Sequence, residues 1–392
     1  MKKIFFQTHW LLGITAGIVL MIVGITGALL SFEHELLQWM NRDVVWIAPQ
    51  GERLPLNDLF AKVKVAYPDR EVMSVTVDAA ADHSVAVTFV AVNGSAEASK
   101  SIKGPQRRRG EVRYFNPYDG ALLSREEMVG QATLQTIERV HRGMVAGPLG
   151  RTVVGSCALL LFLMALSGLY LRWPRRGKMQ WQTWFKVSPQ LTGRAYLWNL
   201  HTVVATCVLP LVLISALTGA YQAFDWYRKG VMNIVGATPP SREATKLEQP
   251  LQSSDTNLNI DLLWSSFQRE HGDFKTATMV FPPSRAHAVE IRYLTADSPH
   301  ERAINLIALH PLTGDVIKQD IFAEKKTGNR FVSGILPLHT GSYFGAVGQV
   351  LMMLSALSMP FFAVTGWMMY WQRKHRLKEA TSTNLAESSL VG

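Results

Sequence analysis

Four stretches of the chain are too long and too apolar to belong to a soluble core. Trp10 to Phe32 runs 23 residues without an acidic or basic side chain, Thr152 to Leu171 runs 20, and Ala195 to Phe224 runs 30. Phe331 to Gln372 is likewise free of Asp, Glu, Lys and Arg, and is most apolar from Phe344 to Trp371. About 20 apolar residues cross a ~30 Å hydrocarbon core, so the pattern predicts four transmembrane helices. Between the first and second, and again between the third and fourth, the period changes. Short amphipathic helices (Leu56 to Val65, Asp261 to His271) precede strand-like alternation over Val72 to Val77, Ser84 to Val90, Thr276 to Phe281 and Ala288 to Tyr293. The predicted order is a helix over 1–40, an α+β lobe over 41–135, a helix over 136–173, a loop over 174–194, a helix over 195–225, a second α+β lobe over 226–335, a helix over 336–373 and a tail over 374–392.

The first apolar run is longer than a signal-peptide core and is followed by Glu33-His34-Glu35 rather than a small-residue cleavage site, so a retained helix is expected. A net charge of +10 would suit a nucleic-acid partner, but the placement of the basic residues argues against one. Arg172, Arg175, Arg176, Lys178, Lys186 and Arg194 crowd the middle loop without an acidic residue, and Arg373, Lys374, Arg376 and Lys378 follow the last helix. With Lys2 and Lys3, this is the asymmetry of cytoplasmic segments in a bacterial inner-membrane protein. Both termini and the middle loop are expected in the cytoplasm, and both lobes in the periplasm. Cys157 and Cys207 fall inside apolar spans without ligand spacing, and read as packing residues.

The chain also repeats itself. His9 precedes Thr26-Gly27 as His201 precedes Thr218-Gly219, 18 residues from His to Gly in each. His141 is followed at offsets 2, 6, 9, 26 and 27 by Gly143, Gly147, Gly150, Ser167 and Gly168; His339 is followed at the same offsets by Gly341, Gly345, Gly348, Thr365 and Gly366. The lobes echo each other in EVRYFNPYDGALL (111–123) and NLIALHPLTGDVI (305–317), each read as strand, Pro/Gly turn, strand. Only the basic stretch around Ser95 to Arg109 lacks a counterpart. Two tandem halves are expected, with His9 and His201 at one depth and His141 and His339 at another.

A single histidine at a helix end is more often a headgroup or capping contact than a ligand. Two pairs at matched depths shift that balance, because six-coordinate haem iron takes two axial imidazoles from facing helices. Zinc would want third and fourth ligands, and a proton relay would want intramembrane carboxylates; the spans offer neither. The glycines after His141 and His339 read either as clearance for a flat macrocycle or as close helix packing. Arg139 and Arg142 flank the outer pair, and Lys2, Lys3, Arg172 and Arg194 the inner, as candidate propionate partners or ordinary headgroup contacts. His34, at the exterior end of the first span, reads as an alternative ligand, a gate near the outer haem or, by default, a surface residue; His375 and the lobe histidines His83, His271, His287, His300 and His310 form no ligand cluster by spacing.

The His-bearing spans with their [ST]-G pairs, the Leu169-Tyr170-Leu171-Arg172-Trp173-Pro174 exit and the NPYDG and HPLTG turns resemble PepSY-associated transmembrane proteins over essentially the whole chain. The resemblance implies PepSY-like periplasmic lobes and, for the best-understood type, a di-haem reductase of ferric siderophores involved in iron uptake. It places His9, His141, His201 and His339 as axial ligands of two b-type haems. It also implies an oxidoreductase that takes electrons from a soluble reductase, reduced flavin or quinol and passes them to a ferric chelate. No nucleotide-binding motif is present, so the donor is expected to be external. The competing expectations are a haem-free scaffold whose lobes bind a periplasmic partner or peptidase, and a transporter of the intact chelate.

Overall fold

The computed structural model describes residues 2–90, 110–123, 128–174, 181–239, 244–250, 258–281, 284 and 286–390, with side chains up to residue 375. The basic stretch around Ser95 to Arg109, and Arg175, Arg176 and Lys178, lie outside the described residues. In chain order the first elements are α1 (Lys2–Leu30), α2 (Glu33–Met40), α3 (Arg42–Val45), α4 (Leu56–Ala66), β1 (Val72–Asp78), β2 (Val85–Phe89) and β3 (Glu111–Phe115). Then come α5 (Gln131–Gly143), α6 (Gly147–Arg172), α7 (Trp181–Phe185), α8 (Gly193–Ala223) and α9 (Asp225–Ile234). The rest are α10 (Ile260–His271), β4 (Phe274–Val280), β5 (Val289–Thr295), β6 (Asn305–Leu309), β7 (Val316–Asp320), α11 (Thr327–Thr340) and α12 (Gly345–Leu390). They sort into two compact units.

Among the described residues four helices are long and apolar enough to cross a membrane, and the first unit holds them: α1, α6, α8 and α12. A lipid-exposed backbone must satisfy its own polar groups, and that is why these runs are helical throughout. The helices form a closed ring in which α1 packs on α12 and α6, and α8 packs on α6 and α12. Small residues set the closest approaches. Pro360 cannot donate to the carbonyl of Ala356, and that oxygen turns toward α1. A methyl on Gly24 would sit 2.5 Å from it and 2.8 Å from Met359 Cβ, so glycine is what lets the two helices meet. At the end of α1, the buried Gln349 amide donates to Ser31 O at 2.9 Å, capping a carbonyl the helix leaves over. At the other end Arg172 donates to Thr202 O, Thr206 Oγ1, Thr183 O and Trp184 O, with its guanidinium 5.0 Å from the Trp184 ring centre. Lys2 donates to Leu171 O and Trp173 O, so this terminus of α1 is tied to that of α6.

The second unit is one antiparallel seven-stranded sheet, ordered β3-β2-β1-β4-β5-β6-β7. The two strand groups that the sequence presents as separate lobes join edge to edge through β1 and β4, from Ser74 opposite Val280 to Asp78 opposite Thr276. Each group carries one helix on the same face. Leu59 and Val63 of α4 bury against Val75, Val77, Val85, Val87, Phe89 and Phe115. Leu263 and Phe267 of α10 bury against Met279, Val289, Ile291, Ile307 and Leu309. Full burial of each such side chain contributes roughly 1.5–3 kcal/mol. Phe60, Trp264 and Phe281 pack on both clusters, which makes the core continuous. Asn57 closes the seam by donating to Asn259 Oδ1 and accepting from the Ile260 amide.

The two Pro/Gly turns are built alike, with Gly120 and Gly314 both at φ +71° and each donating its amide back to the residue that opens the turn, Asn116 or His310. Their continuations differ. HPLTG leads into β7, whereas among the described residues NPYDG leads to a single bridge between Phe115 and Leu122.

Candidate functional site

The four histidines of interest lie at two levels of the first unit. His9 is on α1 and Thr26 is 17 residues further along it, about 25 Å away at 1.5 Å per residue. The first level contains His9 and His201, the latter on α8. The His201 ring lies 4.9 Å from that of Phe362. The second level contains His141, in the last turn of α5, and His339, in the last turn of α11. Their ring centres are 6.3 Å apart and the rings are inclined by 59°. Imidazole nitrogens bind first-row metal ions at about 2.0 Å, so two rings sharing one metal on opposite sides have centres about 6 Å apart. The second-level pair has that separation.

Each ring is held by Nδ1. His9 Nδ1 lies 2.9 Å from Ser167 Oγ, His141 Nδ1 3.2 Å from Thr26 Oγ1, His201 Nδ1 2.7 Å from Thr365 Oγ1, and His339 Nδ1 2.8 Å from Thr218 Oγ1. All four hydroxyls belong to the [ST]-G pairs. The pattern is reciprocal: α1 offers its histidine to α6, and α1's threonine receives the histidine that precedes α6. The same exchange runs between α8 and α12. Among the described residues no Nε2 of these four rings takes a hydrogen bond, which leaves that nitrogen for a ligand. Two imidazole donors per level, half-buried and fixed at the far nitrogen, fit the axial positions of an iron porphyrin. Nowhere among the described residues do three His, Cys, Asp or Glu side chains gather for a metal ion, so the donor set does not fit a tetrahedral zinc site.

The glycines downstream of His141 and His339 correct one expectation. Their spacing in the sequence suggests one face of a continuous helix, clear for a macrocycle. Instead the helix breaks there. Met144, Val145 and Gly147 have φ of 52°, 58° and 56°, and Gly341 and Gly345 have 89° and 61°. Val145 is β-branched, so its left-handed backbone is strained. Gly150 and Gly143 meet backbone to backbone in the first elbow, as Gly348 and Gly341 do in the second. These glycines shape the turn that delivers each histidine.

The glycine of each [ST]-G pair has a different use. A methyl on Gly27 would lie 2.9 Å from His141 Cε1, and one on Gly168 3.3 Å from His9 Cε1, whereas Gly366 faces open space. Gly27→Ala is therefore expected to displace His141 and weaken ligand binding at the second level. Gly366→Ala is expected to be neutral or to stabilise by about 0.5–1 kcal/mol, as Ala for Gly does within a helix. Paired thermal melts and metal-loading titrations of the two variants check this. Equal loading would remove the steric argument.

The remaining candidates sit elsewhere. Arg142 pairs with Glu138 at 2.8 Å and Arg139 donates to Thr136, so both have partners on their own helix. Arg172 and Lys2 are used in tying helix ends, and Arg194 is exposed. His34 and His375 are exposed. In the second unit His83 pairs with Asp82 at 2.8 Å and holds that carboxyl below its usual range. His287 bonds Ser284, and His310 accepts amides within its turn. His300 is buried, with burial lowering its basicity, and His271 stacks 4.7 Å from Tyr293. In the sequence the [ST]-G pairs stand out only as repeat landmarks; their recurrence 17–18 or 26–27 residues after a histidine is the signal that points to them.

A family model described as the PepSY-associated TM region matches residues 6–373. No curated protein matches the chain.

Proposed function

The chain belongs to the PepSY-associated transmembrane family, and from that premise we propose that it is a di-haem ferric-chelate reductase of the bacterial inner membrane. The observation that carries this reading is the 6.3 Å spacing of His141 and His339, each held at Nδ1 and open at Nε2. His9 and His201 serve as the second axial pair, at the level nearest Lys2, Arg172 and Arg194. The basic loop and tail mark that level as cytoplasmic, and the seven-stranded unit, formed by the two long PepSY-like connections, is periplasmic.

Haem bound at both levels supplies one-electron redox chemistry. The protein ligates, orients and shields. The spans carry no Asp, Glu, Lys or Arg between the levels on α1 or α8, so water and ions find no polar path there. The net reaction balances simply: an external donor (a soluble reductase, reduced flavin or quinol) gives up one electron, and a periplasmic ferric siderophore takes it, Fe(III) becoming Fe(II). The lower charge loosens hard oxygen ligands and frees the iron.

The test is spectroscopic. Purified protein should show reduced-minus-oxidised bands of bis-histidine haem, with two haems per chain by pyridine haemochrome assay. Vesicles loaded with reductant should then reduce external ferric hydroxamate, catecholate or citrate. A colourless protein that also fails to take up added haem would end the reading.

A further inference from the structure

The four hydroxyls that receive the histidines are already engaged on their other side. A hydroxyl has one proton to donate and two lone pairs. Thr26 Oγ1 donates to Ile22 O at 2.8 Å, Ser167 Oγ to Met164 O at 3.0 Å, Thr218 Oγ1 to Ile214 O at 2.6 Å and Thr365 Oγ1 to Phe361 O at 2.8 Å. With that proton committed to its own helix, each oxygen can only accept from the imidazole. His141 gives an independent indication: its Nδ1 also lies 3.0 Å from Val23 O, a group with no proton at all. Nδ1 must therefore carry the hydrogen.

We propose that Thr26, Ser167, Thr218 and Thr365 are positioning residues that lock all four histidines in the Nδ1–H tautomer, so that each presents an unprotonated Nε2 as its ligating atom. A neutral imidazole has one N–H, so fixing it at Nδ1 leaves the lone pair at Nε2. The arrangement costs each half two hydroxyls and no charge, which suits an apolar bilayer span. Accepting a hydrogen bond from Nδ1–H also raises the basicity of Nε2. His141 has a second acceptor at Nδ1 in Val23 O. What the Nε2 atoms bind rests on the di-haem reading above; the tautomer does not.

The test uses Thr218→Val, which keeps the shape of the side chain and removes the acceptor, against Thr218→Ser, which restores it. In haem-free, 15N-histidine-labelled protein, the four rings should show a protonated Nδ1 and a bare Nε2. In loaded protein, Thr218→Val should weaken haem binding at the second level 10- to 100-fold, the usual effect of losing a ligand's outer partner. It should also raise the midpoint potential of the haem that remains, and Thr218→Ser should bring both back. Helix content and elution position of the variants guard against misfolding as the cause. Rings protonated at Nε2, or a valine variant with unchanged affinity and potential in a two-haem protein, would overturn the proposal. A protein that binds no haem yet shows the Nδ1–H tautomer would sink only the functional reading.

Discussion

His339→Ala should, on the di-haem reading, lower the haem content from two per chain to one and bring chelate reduction in loaded vesicles to background. The ring of His339 is half of the second-level pair, and its removal leaves His141 as a lone axial donor, its partner 6.3 Å away gone. His201→Ala should also leave one haem, but the other one, since His201 stands at the first level, held by Thr365, rather than at the second. The two variants should therefore differ in which absorbance component survives, and the double variant should be colourless. Full haem content in both single variants would mean that the pairing is wrong.

Gly150→Ala is expected to be nearly as damaging without touching a ligand. The new methyl would overlap the Gly143 carbonyl and lie 3.0 Å from Ala146 Cβ. Both are backbone or short side-chain atoms that cannot swing away, so the elbow between α5 and α6 must open. Overpacking of this kind costs about 1–3 kcal/mol and occasionally more. Because His141 is delivered by that elbow, second-level loading should fall together with the melting temperature. Gly230→Ala, in α9 with nothing within 4 Å, is the control and should leave both unchanged. If the two alanines behave alike, the elbow does not need its glycines.

The membrane spans and the four histidines are legible in the sequence because hydropathy and short-range spacing are local properties. The elbows are not. Gly143, Gly147 and Gly150 recur at a helical period, and nothing in that period announces that Met144 and Val145 adopt a left-handed backbone. The partners of the histidines are hidden for another reason: His141 and Thr26 are 115 residues apart, and His201 and Thr365 are 164 apart, so only folding joins them. Strand alternation locates β1 and β4 well, yet it is silent on which edge pairs with which. That is why one sheet looks, in the sequence, like two lobes.

The union of β1 with β4 has a consequence for how the protein comes into being. The strand groups β1–β3 and β4–β7 each leave one edge strand, β1 or β4, with a row of amide and carbonyl groups that the other group satisfies. A nascent chain that has emerged only as far as the third long helix holds an unfinished sheet with a sticky border. Its completion waits until the last third of the polypeptide arrives, so neither portion is a free-standing module, and a break between them would yield two fragments that must find each other before either is stable.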